Sequence, residues 1–128
     1  MTHPSDAFLR RVLFVDAATS AAAAALLSAA DVLAPLLGLP QALLLGAGAA
    51  FVPFAALVLW VAMRDPLPRA GAWLVVAINV VWAADSVLLL FTDWVAPATL
   101  GTAFVLVQAA AVAVLAELEF VGLRRMAA

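Results

Sequence analysis

The sequence has no cysteine, no tyrosine and no lysine, and its single histidine, His3, stands in a short polar stretch at the N-terminus. Those gaps remove whole classes of chemistry. Without cysteine there is no disulfide framework, thiolate nucleophile, cysteine-ligated zinc or iron–sulfur site. Without lysine there is no Schiff base, and one terminal histidine leaves bis-histidine haem ligation without a candidate in the apolar segments. No metal and no cofactor are expected. Charge is scarce as well: charged residues are 11% of the 128, with six arginines against eight acidic residues for a net charge of −2. That acidic balance speaks against a nucleic-acid partner.

What the chain has in abundance is apolar surface, at 69% hydrophobic residues and a mean hydropathy of +1.21. So little polar surface does not cover a water-soluble globule of this size, and lipid must serve as part of the solvent. No charged residue occurs from Val32 to Met63 or from Trp94 to Ala116. Each run exceeds the ~20 residues that cross a hydrocarbon core. Four apolar segments follow, at about 12–34, 41–63, 70–91 and 98–121. The expected fold is all-α: one polytopic membrane domain over residues 1–128, with four transmembrane helices in an up-down-up-down bundle.

Proline and glycine supply the punctuation, with Pro35, Gly38 and Pro40 in the first link, Pro66 and Pro68 in the second and Pro97 in the third. Pro53 falls inside the second segment, where it is expected to kink the helix. Orientation is read from the arginines. Arg10 and Arg11 precede the first segment, Arg64 and Arg69 flank the middle link, and Arg124 and Arg125 follow the fourth. All fall on one side, so the positive-inside rule puts both termini and the middle link in the cytoplasm. The all-arginine, alanine-heavy composition suits a GC-rich bacterial genome, hence a bacterial cytoplasmic (inner) membrane. A cleaved signal peptide is the rival for the first segment, given its arginines and Ser28-Ala29-Ala30 before Asp31, but Asp16 inside the would-be apolar core opposes it. Asp31-Val-Leu-Ala-Pro35 recurs as Asp93-Trp-Val-Ala-Pro97, which suggests two repeated helical hairpins, with chance similarity between alanine- and leucine-rich helices as the alternative.

Polar residues at depth are the functional leads, because a charge there costs about 2.5–3.5 kcal/mol on insertion scales and needs a partner. Asn79, Trp82 and Ser86 share a helical face and Asp85 lies on its flank, an arc expected to face the bundle interior. Gln108 is the midplane polar residue of the fourth segment, so Asn79, Asp85 and Gln108 are placed to converge on a proton-coupled or cationic solute. The plainer reading takes precedence: the amides and Ser86 as interhelical glue worth ~0.6 kcal/mol each, with Asp85 at the outer interface. Asp16 is expected to pair with an arginine at the cytoplasmic end, Arg11, Arg64 or Arg69. Glu117 and Glu119 read as interfacial charges balanced by Arg124 and Arg125. Ala17, Ala21, Ala25 and Ala29, with Gly46, Gly48 and Ala50, are expected to pack the first helix on the second. Trp60, Trp73 and Trp94 suit interfacial anchoring, and only Trp82 is deep.

Three functions compete. The first is a non-enzymatic accessory or scaffold subunit of a membrane assembly, its partners the bilayer and another membrane protein or further copies of the chain. The second is a small transporter or binding protein for a hydrophobic or cationic solute, its site around Asp85. An enzyme ranks last, because Asp, Asn and Gln on helices without His, Cys, Lys or Tyr leave too few acid–base or nucleophilic groups.

Overall fold

The computed structural model describes residues 4–127, which form five helices: α1 (Pro4–Leu27), α2 (Ala30–Leu37), α3 (Gln41–Met63), α4 (Arg69–Leu89) and α5 (Thr99–Ala127). His3, which the sequence reading set aside, lies outside the described residues. Helices α3, α4 and α5 are each long and apolar enough to cross a membrane. Helices α1 and α2 meet that standard only as a pair, bent by 86° at their junction. The protein is thus all-helical, with three to four long apolar helices compatible with membrane spans.

The bend corrects the expectation of one helix over 12–34, and local hydrogen bonding accounts for it. The Ser28 hydroxyl donates back to the Ala25 carbonyl, and the Ala29 N–H contracts onto the Leu26 carbonyl at 3.1 Å. A serine that bonds its own helix and a tightened i−3 turn both weaken the regular ladder. Past the break, Pro35 has no N–H for the Asp31 carbonyl, so α2 is short. It ends at Gly38, whose φ of 67° is left-handed, and the Gly38 N–H reaches the Ala34 carbonyl at 2.9 Å. The carbonyl of Leu37 then accepts the Ala98 N–H at 3.0 Å and lies against Gly101, where any side chain would strike it. Helix α2 therefore crosses one end of the bundle, locked to the start of α5. Helix α3 runs unbroken through Pro53. Helix α5 continues past residue 121 because its last turns hold good helix formers and bury Leu123.

Helix α1 packs along α3 and also against α5, while α4 packs along α5. Arg10 of α1 donates to the carbonyls of Ala62 and, at 2.8 Å, Arg64 at the end of α3. The Arg125 guanidinium lies 4.9 Å from the centre of the Phe8 ring, and Trp73 meets Phe120 at 5.6 Å. These contacts gather the arginines at one end of the bundle. Two separate apolar cores result. One, at the arginine end, joins Leu9, Leu13, Val58, Val61, Val75 and Leu123; the other, at the α2 end, joins Leu27, Ala30, Leu37, Leu44 and Val105.

Two expectations about pattern meet a different geometry. Asp31–Pro35 lies within helix α2, whereas Asp93–Pro97 lies in the non-helical link before α5, so the matching segments differ in backbone conformation. In the small-residue stripe, Ala17 is buried but Ala21, Ala25 and Ala29 are exposed. Four-residue spacing drifts by about 40° per step on an α-helix, which carries the stripe off the packed face. Gly48, by contrast, is buried against Leu27 of α1, and Gly46 faces open space.

Candidate functional site

The polar residues at depth form two groups rather than one. Toward the α2 end, the Trp82 indole N–H donates to Gln108 Oε1 at 3.0 Å, and Gln108 Nε2 donates to the Val105 carbonyl at 3.0 Å. Ser86 donates its hydroxyl to the Trp82 carbonyl at 2.7 Å, one turn back along α4. The Phe51 ring of α3 lies 4.8 Å from Trp82 at a tilt of 58°. Trp82 is thereby held by α5 on its polar edge and by α3 on its apolar face.

These side chains wall a chamber of about 760 Å³ between α1, α3, α4 and α5. Its lining is apolar apart from Thr19, Asp85, Ser86, Thr92, Gln108 and the indoles of Trp82 and Trp94. Asp85 is exposed in the chain and stands on that wall without being drawn into the Trp82–Gln108 pair. A second cavity of about 570 Å³ lies toward the arginine end, with Asp16, Ser20 and Asn79 on its wall. Both spaces touch Thr19, Ala23, Phe51, Trp82 and Gln108, so the indole–amide pair is the partition between them.

Asn79 is absent from the Asp85 group and belongs to a cluster that the sequence reading did not assemble. Its Nδ2 donates to Asp16 Oδ2 at 2.8 Å and to Glu119 Oε1 at 2.9 Å, joining α1, α4 and α5. Ser20 donates to Asp16 Oδ1 at 3.3 Å. Asp16 is 2% exposed and Glu119 0% exposed, and Glu119 Oε2 has no hydrogen-bond partner. Asp16 therefore does not take the arginine expected for it. Arg11 and Arg69 are exposed, and Arg64 stacks 5.1 Å from the Trp60 ring centre. Glu119 is likewise not balanced by Arg124, which sits 5.8 Å from the Phe120 ring centre; Glu117 alone is exposed.

A signal for this cluster was present in the spacing. On α5 the buried positions Ala109, Ala116, Glu119 and Leu123 follow a three-, four- and seven-residue pattern, and on α1 Leu9, Leu13, Asp16, Ser20 and Leu27 do the same. Glu119 and Asp16 fall on the inward stripe. Among the described residues, no group of three or more His, Cys, Asp or Glu side chains is placed to hold a metal ion.

Comparison with known proteins leaves the function to be read from the site: no family model, no curated protein and no solved structure matches the chain.

Proposed function

We propose that this chain is an integral membrane protein that binds, and as a transporter would carry, a hydrophobic solute bearing a positive charge. The observation that carries the reading is the chamber of about 760 Å³, apolar except for a few polar groups and with Asp85 on its wall. The space opens on the bundle surface beside exposed side chains such as Leu26, Leu88 and Trp94, so a molecule with an apolar body can enter it from the lipid. A greasy chamber with one carboxylate and an indole beside it suits an apolar body with a cationic head, held by charge and by the π-face.

In this reading the four segments cross the lipid up-down-up-down, with α1 and α2 as one broken span. The arginine end faces the cytoplasm of a bacterial cell, following the positive-inside rule, and the chamber lies toward the outer face. Only 17–22% of residues in the most apolar stretches of α3, α4 and α5 are buried within the chain, so most apolar side chains point outward, as lipid requires. The test uses protein purified into lipid nanodiscs and titrated with tetraphenylphosphonium. Saturable binding that weakens about tenfold in Asp85→Asn is expected from loss of ~1.5 kcal/mol, the lower end for a charged contact, since the chamber is open. Absence of saturable binding, or equal affinity in the variant, contradicts the proposal.

The accessory-subunit reading has its own support in the exposed Ala21, Ala25 and Ala29 on α1, which would let a neighbouring helix approach closely. It expects a second membrane protein to co-purify from native membranes and to be lost on Ala25→Leu.

A further inference from the structure

We infer that Asp16 and Glu119, bridged by Asn79, form a binding site for a single exchangeable proton, separate from the Asp85 chamber. Counting donors leads to this. Four carboxyl oxygens meet in the cluster, and three have a donor: Ser20 on Asp16 Oδ1, and the two N–H bonds of Asn79 on Asp16 Oδ2 and Glu119 Oε1. The fourth, Glu119 Oε2, is buried with none. One amide nitrogen holds an oxygen of each carboxyl, at 2.8 Å and 2.9 Å, which brings the two groups side by side. Two adjacent carboxylates in a dry interior repel and lose their hydration, and one shared proton relieves both costs. Placed on Glu119 Oε2, that proton supplies the missing donor and points it at the Asp16 carboxylate, which keeps Ser20 and Asn79.

Among the described residues, the side chains hydrogen-bonded to the pair, Ser20 and Asn79, are uncharged. From α4 the facing group is the uncharged Asn79; the core residues that α3 presents at this end are Val58, Val61 and Ala62. Arg124 lies against the Phe120 ring and Arg125 against the Phe8 ring, while Arg10 turns its Nη1 to the Ala62 and Arg64 carbonyls and leaves its buried Nε and Nη2 without a hydrogen-bond partner. Access runs through the cavity of about 570 Å³, whose wall includes Asp16 and Ser20 but not Glu119. A hydronium ion there gives its proton to an Asp16 oxygen and leaves water; the shared hydrogen bond passes the proton to Glu119, and release is the reverse.

The site is tested without any solute, so its failure is distinct from failure of the chamber reading. Glu117 and Glu119 are the only glutamates, which makes isotope labelling selective without mutation. Infrared spectra of the protein in lipid vesicles at neutral pH should show a protonated-carboxyl C=O band that shifts down with carboxyl-labelled glutamate and shifts again in heavy water. Glu119→Gln should abolish that band and Glu117→Gln should leave it. The inference is overturned if labelled wild-type protein shows no glutamic-acid band, if the band ignores heavy water, or if it survives in Glu119→Gln. Should Glu119→Gln not fold, the labelled wild-type spectra still decide.

Discussion

The two halves of the bundle handle carboxylates in opposite ways. At the arginine half, Asp16 and Glu119 are buried and joined by an amide; at the α2 half, Asp85 stands exposed on the wall of an open chamber. The buried pair takes its donors from the fold itself, Asn79 and Ser20, and reaches outside only through the cavity beside Asp16. An exposed carboxylate on a greasy wall is free to meet a ligand. Depth along a helix therefore does not separate the two kinds of acid here, whereas the state of the surrounding packing does.

The strongest way to break the contrast is Asn79→Leu, which removes both of its donors from the buried pair at once. It should lower stability in detergent by about 3 kcal/mol, read as a fall in the thermal midpoint of helical circular dichroism. Equal stability would mean that the pair is not held as described. Next in size is Gly101→Ala, which forces a methyl group onto the Leu37 carbonyl and should cost about 2 kcal/mol while loosening α2. Its readout is faster proteolysis within the α2 link. Asp85→Asn should leave the thermal midpoint almost unchanged, within ~0.5 kcal/mol, while weakening tetraphenylphosphonium binding about tenfold. A large loss of stability would place Asp85 with the acids that the fold depends on. Smallest of all, Glu117→Gln should change neither stability nor binding, since that side chain is exposed.

Much of the architecture was readable because charge-free runs and proline-bearing links are coarse, additive signals. The limits of α3 follow from Pro40 and from the Arg64–Pro66 link, and the structure begins and ends it at Gln41 and Met63 as the sequence suggested. The break at Ser28 was harder to read, because one serine bonding its own helix leaves mean hydropathy almost unaltered while it redirects the chain by 86°. The site was half legible. Trp82, Ser86 and Gln108 do meet, as adjacent antiparallel helices allow, but Asn79 turns away from them toward α1. That choice depends on which helices face each other across the bundle, and helices apolar on every side carry no moment that declares it. Glu119 was misread for a related reason. Proximity in sequence to Arg124 suggested a balanced surface charge, yet its register with Ala116 and Leu123 turns it inward.

A chain without cysteine is well suited to a direct test of the orientation proposed for the bundle in a membrane. Single cysteines are introduced by Asp65→Cys in the arginine-side link and Asp93→Cys in the link before α5, and intact cells are treated with a membrane-impermeant maleimide. The account predicts labelling of the Asp93→Cys protein in intact cells and of the Asp65→Cys protein only after the membrane is opened. Labelling of the Asp65→Cys protein in intact cells, with the Asp93→Cys protein protected, would contradict it.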